Sequence, residues 1–84
     1  MAARISVLYF AGLRDAIGIA EETIELPGRV RTVGELCDHL AERHRGYAER
    51  RASVRVARNE AFAGDADRLD DGDVIALIPP VAGG

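Results

Sequence analysis

The first strand-like stretch, Arg4 to Phe10, is apolar in both phases of its alternation. Ile5, Val7 and Tyr9 point one way, and Ser6, Leu8 and Phe10 the other. Apolar residues on both sides predict a central strand, or a sheet with a second surface to bury. Ala11 to Ala20 carries Gly12 and Gly18 and reads as a loop with room for a short helical turn. Thr23 to Leu26 alternates and predicts a second strand, stopped by Pro27-Gly28. Thr32-Val33-Gly34-Glu35 has capping-box form, with Thr32 as N-cap and Glu35 at the third helical position. Behind it Val33, Leu36, Cys37, Leu40 and Ala41 recur at helical spacing, so the helix has one apolar face and is expected to end near Arg45-Gly46.

Val54 to Arg58 alternates again and predicts a third strand, followed by a turn at Asn59-Glu60 and a short apolar piece, Ala61-Phe62-Ala63. Asp70-Asp71-Gly72-Asp73 is a strong turn signal. Val74 to Ile78 is apolar throughout, which places it inside a sheet rather than at an edge. The first and last strands are the most apolar, so they pair side by side in the centre. The expected fold is α+β, a β-grasp or ubiquitin-like mixed sheet of four to five strands with one main helix packed on one face. The domain occupies residues 1–78, and residues 79–84 form a flexible tail.

Alternation has a second consequence. If the helix covers Val7, Tyr9, Ile75 and Leu77, then Leu8, Phe10, Ala76 and Ile78 face the other side, where Phe62 can join them. The reading leaves two outcomes: an exposed apolar patch of the kind that marks partner surfaces, or loop 11–20 folded over it.

Composition narrows the chemistry. Eighty-four residues make one domain with a modest core and no room for a deep catalytic cavity. The net charge of −3 argues against a nucleic-acid partner, which demands a concentrated positive patch. All 11 basic residues are arginine, so lysine chemistry is absent from the chain. No apolar run approaches the ~20 residues of a membrane span, and nothing reads as a signal peptide, so a cytoplasmic protein is expected. The single cysteine, Cys37, lies in the helix's apolar stripe, where it packs as a small hydrophobe. His39 and His44 are five apart, which does not put two ligands on one helical face, so no metal site is assigned. The acids Asp65, Asp67, Asp70, Asp71 and Asp73 fail the calcium-loop pattern, with Leu69 and Ile78 at ligand positions, and are read as turn formers.

That leaves the end of the sequence, Pro79-Pro80-Val81-Ala82-Gly83-Gly84. The prolines end sheet pairing and stiffen the exit. Val81 and Ala82 offer some apolar grip, and the two glycines can thread a narrow channel. Such a tail delivers its own α-carboxylate, at Gly84, and the chain reads as a carrier or binding module rather than an enzyme.

Leu8-Tyr9-Phe10-Ala11-Gly12-Leu13-Arg14-Asp15-Ala16-Ile17-Gly18 resembles the opening of the molybdopterin synthase small subunits, the MoaD family. Leu69-Asp70-Asp71-Gly72-Asp73, followed by Val74 to Gly84, resembles that family's Pro-Pro-Val-x-Gly-Gly ending, and Asn59-Glu60 its intervening turn. The likeness spans essentially the whole chain. Ala57-Arg58 departs from it, since the family often has a more apolar residue before the Asn.

The resemblance implies a sulfur carrier. An E1-like (MoeB-like) adenylyltransferase would use ATP to activate Gly84, with no cofactor bound by the chain itself. Gly84 would become a thiocarboxylate, with Gly83 giving clearance in the partners' active sites. The synthase large subunit (MoaE-like) would take the loaded tail, and two sulfur transfers to the cyclic pyranopterin precursor would build the dithiolene. The family's docking patch maps to Phe10, Phe62 and Ile78, with Arg14 as a polar contact. Pro79, Pro80, Val81 and Ala82 would be held by the same partners. Gly-Gly endings also occur in thiamine-pathway (ThiS-like) and cysteine-pathway sulfur carriers and in ubiquitin-like protein modifiers, which remain the alternatives.

Overall fold

The computed structural model describes residues 3–80. The elements run β1 (Arg4–Tyr9), α1 (Ala11–Ile17), β2 (Glu21–Glu25), α2 (Val33–Arg43), α3 (Arg45–Ala48), a 3₁₀ turn (Arg51–Ser53), β3 (Arg55–Arg58), β4 (Ala61–Phe62) and β5 (Val74–Ile78). The five strands form one mixed sheet in the order β2-β1-β5-β3-β4. As the continuous apolarity of both segments requires, β1 and β5 lie side by side at its centre, in parallel. This is the α+β, β-grasp arrangement.

The inner face of the sheet carries Ile5, Val7, Tyr9, Ile75 and Leu77, all buried. Against them α2 presses Val33, Leu36, Cys37 and Leu40, the stripe that its spacing predicts. Both halves of its capping box form: the Glu35 amide donates to Thr32 Oγ1 at 3.2 Å and the Thr32 amide to Glu35 Oε1 at 3.0 Å. Such a cap is worth about 1 kcal/mol, and it fixes where the helix starts beneath the sheet.

The helical layer is richer than expected. Residues 11–17 form a helix, not a loop, and Gly18 closes it at φ 94°, a left-handed C-cap in which glycine carries no steric cost. The main helix stops at Arg43 rather than Arg45-Gly46, because His44 is extended at φ −132° and starts a separate turn, α3. Gly46 lies where α3 crosses α1, and a Cβ built there would sit 2.8 Å from the Ala16 carbonyl oxygen. Leu13 of α1 and Tyr47 of α3 join the same inner core as α2.

The polar punctuation also has visible work. Asn59 and Glu60 both have positive φ, 49° and 72°, the requirement of the tight turn whose twist matches the β3–β4 hairpin. The acids of 65–73 mostly hold turns: Asp67 accepts from the Gly64 amide at 3.0 Å and Asp71 from the Arg4 amide at 2.8 Å. Asp73 is buried and accepts from Arg58 Nε at 2.7 Å, Asn59 Nδ2 at 2.9 Å and the Asp70 amide at 2.7 Å. This is why a charged residue stands at 58, where an apolar one was expected. Arg58 is the cation that makes burial of Asp73 affordable, and together they anchor the start of β5.

Candidate functional site

Parallel pairing of β1 and β5 brings two distant parts of the chain to one end of the sheet. Tyr9 stands beside Leu77, so Phe10 and Ile78 leave the sheet next to each other. Pro79 and Pro80 follow directly from the central strand, which gives the tail a rigid root. Pro80 is exposed. Val81, Ala82, Gly83 and Gly84 lie outside the described residues.

The outward face has the apolar surface that alternation predicts. Register places Leu8, Ala76, Ala57 and Phe62 in one row across β1, β5, β3 and β4. Phe10 is 44% exposed and Phe62 61% exposed, high values for large apolar rings. The segment 11–20 does not cover them, because Leu13 turns into the inner core and α1 packs on α3 instead. The two rings, with Ala57, Ala76, Ile78 and Glu60, line a depression of about 220 Å³. A second, larger groove of about 540 Å³ runs at the tail root between Phe10, Leu13, Arg50, Ser53, Ile78 and Pro80. Phe10 and Ile78 belong to both and form the ridge between them.

The exposure of Phe10 has a backbone cause. Ala11 adopts φ 48°, a left-handed conformation that costs a non-glycine residue about 1 kcal/mol. That turn leaves Phe10 extended and outside, while Leu13, whose amide bonds the Phe10 carbonyl at 3.1 Å, goes inside. Arg14 is exposed on α1 and lines neither depression, so the structure does not bring it to the patch that Phe10, Phe62 and Ile78 share.

A part-buried polar cluster ties the end of β1 to β2 and to the end of α2. Glu22 of β2 accepts from the Tyr9 hydroxyl at 2.5 Å, from His44 Nε2 at 2.5 Å and from Arg43 Nε at 3.1 Å. A carboxylate only accepts, so His44 carries its proton on Nε2. Burial alone would raise the Glu22 carboxyl, but the hydrogen bonds from Tyr9 and His44, with the charges of His44 and Arg43, outweigh it and hold the group below its usual range. Burial and the same carboxylate push the Tyr9 hydroxyl upward, so it stays a donor. A carboxylate depressed in the folded state stabilises fully above its unfolded pKa of about 4.3, and that contribution fades as pH falls through the folded value. Glu22→Gln is therefore expected to lose about 2 kcal/mol at neutral pH. Urea unfolding should show the gap to the parent closing on acidification.

Cys37 is 3% exposed on the inner side of α2, and burial raises its thiol. His39 is half-buried on α2 and away from the tail root. Among the described residues no group of three or more His, Cys, Asp or Glu side chains could hold a metal ion. Nor is any helix there long and apolar enough to cross a membrane.

One residue of the outward face escaped the sequence reading. Arg55 stands opposite Ile78, and its guanidinium carbon lies 3.9 Å from the centroid of the Phe62 ring. The signal was present, since Arg55 shares Ala57's phase in the alternation and must emerge on the same face.

The family model described as "ThiS family" matches residues 7–84. The human molybdopterin synthase sulfur carrier subunit is 33% identical over 96% of this chain and 94% of its own length. SAMP1 of Haloferax volcanii, a small archaeal modifier protein, superposes with a TM-score of 0.86 at 28% identity, over 98% of this chain and 100% of its own. Subunit 1 or 2 in the complex of the two subunits of molybdopterin-converting factor from Helicobacter pylori superposes with a TM-score of 0.71 at 27% identity, covering 96% of this chain and 99% of that one.

Proposed function

The chain belongs to the ThiS family and, within it, to the molybdopterin synthase sulfur carriers, and on that premise we propose that it is the sulfur-carrying subunit of a molybdopterin synthase. The observation that carries the proposal is the likeness to sulfur carrier subunits along almost the entire chain, with the family match running through Gly84. The fold gives this reading its mechanics. A tail rooted by Pro79 and Pro80 in the central strand, beside an exposed apolar face, is presented together with a handle by which a partner can seat it.

The chemistry proposed for Gly84 follows from the inertness of a carboxylate. An E1-like adenylyltransferase joins a Gly84 carboxylate oxygen to the α-phosphorus of ATP and releases pyrophosphate. A sulfur nucleophile then attacks the acyl carbon and AMP leaves, so the carboxylate becomes a thiocarboxylate. Gly83, without a Cβ, lets the acyl carbon lie deep in each partner's channel. The large subunit receives the loaded tail, docked through Phe10, Phe62 and Ile78. There the thiocarboxylate sulfur is passed to the cyclic pyranopterin precursor, and water restores the Gly84 carboxylate. The chain binds no cofactor of its own, and the active site belongs to the partner. Such a carrier acts in the cytoplasm.

A protein modifier is the second reading, favoured by the close superposition on SAMP1. Reconstitution separates them. With the large subunit, the activating enzyme, ATP, a sulfur donor and the pyranopterin precursor, the carrier reading expects dithiolene product in proportion to loaded chain. Denaturing gels of cell extract should show no stable adducts of the chain on other proteins. Abundant adducts with no dithiolene product would support the modifier instead.

A further inference from the structure

The outward face of the sheet carries its charge unevenly. On β2 the outward positions are Glu21, Thr23 and Glu25, opposite Leu8, Ser6 and Arg4. Glu25 already has a cation near it, Arg4 at 3.9 Å. On the other side of the apolar row the cation is Arg55. Six of the 11 arginines, 4, 43, 45, 50, 51 and 58, have carboxylate partners among the described residues; Arg55 is one of the five that have none there, and the one that stands on this apolar face over Phe62. Its guanidinium carbon instead lies over the Phe62 ring, 3.9 Å from the centroid.

Stacking occupies the flat face of a guanidinium and leaves the N–H groups around its edge free to donate. It also holds a long side chain in one place, which lowers the entropy cost of a later contact. Arg55 is therefore a positioned cation on the rim of an apolar depression. When a partner covers that depression, water leaves the rim, and an unpaired cation there opposes binding. A carboxylate brought to the same place reverses the effect.

We propose that Arg55 is a specificity-determining residue of the docking face. Held over the Phe62 ring, it admits a large subunit whose surface places a carboxylate at the β3–β4 rim, beside an apolar side chain seated among Phe10, Phe62 and Ile78. A surface with a cation or only apolar groups at that point is disfavoured. The inference rests on the reading of this chain as a synthase subunit. The occupant is the large subunit, since a two-subunit complex of the same kind is among the structural relatives. In that arrangement the partner's carboxylate meets Arg55 and lies away from the acidic β2 edge of Glu21 and Glu25.

The test is titration of the cognate large subunit with the full chain and its Arg55→Ala, Arg55→Glu, Arg55→Lys and Phe62→Ala variants, at low and high salt. Arg55 is exposed, so thermal melting should confirm that each variant folds. Arg55→Ala is expected to weaken binding about 10-fold at low salt and Arg55→Glu about 100-fold, as removal and reversal of a rim charge would. Arg55→Lys should recover only part of the loss, because an ammonium does not stack as a plane. The affinity of Arg55→Ala should also depend less on salt than the parent's, which loss of packing alone would not produce. Reversing the facing carboxylate to arginine in the large subunit should restore binding to Arg55→Glu. Affinities within about twofold of the parent for all Arg55 variants, with one common salt dependence, would overturn the inference, while loss on Phe62→Ala would keep the docking face itself. Failure of the parent chain to bind any large subunit would overturn the functional reading, and this inference with it.

Discussion

One residue added after Gly84 is expected to leave the domain folded and to abolish sulfur transfer. The proposed reaction consumes a carboxylate at Gly84, and an added residue converts that carboxylate into an amide, which is neither adenylated nor able to carry sulfur. It also lengthens the chain that must thread each partner's channel. The fold should be unaffected, because the core is made by Val7, Tyr9, Leu36, Leu40, Ile75 and Leu77, all of which precede Pro79 and Pro80. Thermal melting of the extended chain should overlay that of the parent, while dithiolene product in the reconstituted reaction falls to background. Undiminished product from the extended chain would show that Gly84 is not the carrier. Replacing Gly84 by a bulkier residue should give the same loss by obstruction, with the carboxylate still present.

The second large effect concerns Asp73. Asp73→Ala is expected to cost about 2–3 kcal/mol, since it removes the buried acceptor of three hydrogen bonds, one of them from the Arg58 guanidinium. Arg58 Nε, Asn59 Nδ2 and the Asp70 amide all lose their acceptor at once. Asn59 also receives the Val74 amide on its Oδ1 at 2.9 Å, so the loss spreads to the first residue of the central strand. Small domains hold only about 5–15 kcal/mol in total, so this variant should melt well below its parent. Asp73→Asn keeps the shape and one acceptor oxygen and should lose less. Burial by itself raises the Asp73 carboxyl, but the Arg58, Asp70 and Asn59 hydrogen bonds and the Arg58 charge hold it below its usual range. Its contribution is thus complete above about pH 4 and declines as pH falls toward the folded value. Urea midpoints across that range should show the parent weakening while Asp73→Ala changes less.

Several features of this architecture were legible in the residues because each rests on a local rule. The apolar runs of Arg4–Phe10 and Val74–Ile78 required central strands, and the Thr32–Glu35 capping box marked the start of α2. Asp70-Asp71-Gly72-Asp73 marked the turn into β5, and alternation alone separated Val7 and Tyr9 from Leu8 and Phe10. The misread segments are those where a local signal has two meanings. Gly18 reads in the sequence as loop punctuation, whereas it is the C-cap of α1, and the spacing of Leu13, Ala16 and Ile17 before it is helical. His44 gave no local sign of ending α2. It leaves the helix because Glu22, 22 residues earlier, binds its ring. The Tyr9–Glu22–His44–Arg43 cluster and the Arg55–Phe62 stack are tertiary, built from residues that no periodicity joins. Of the candidate site, alternation placed Phe10, Phe62 and Ile78 together, while Arg14, carried in by resemblance, stands apart from them on α1.

Intact mass spectrometry shows whether Gly84 carries sulfur. The chain is incubated with the E1-like enzyme, ATP and a sulfur donor, and its mass is compared before and after. The expected result is replacement of one oxygen by sulfur, assigned by fragmentation to Gly84 and absent when ATP is omitted. An unchanged mass, with the same enzyme shown to load another carrier in parallel, would contradict it.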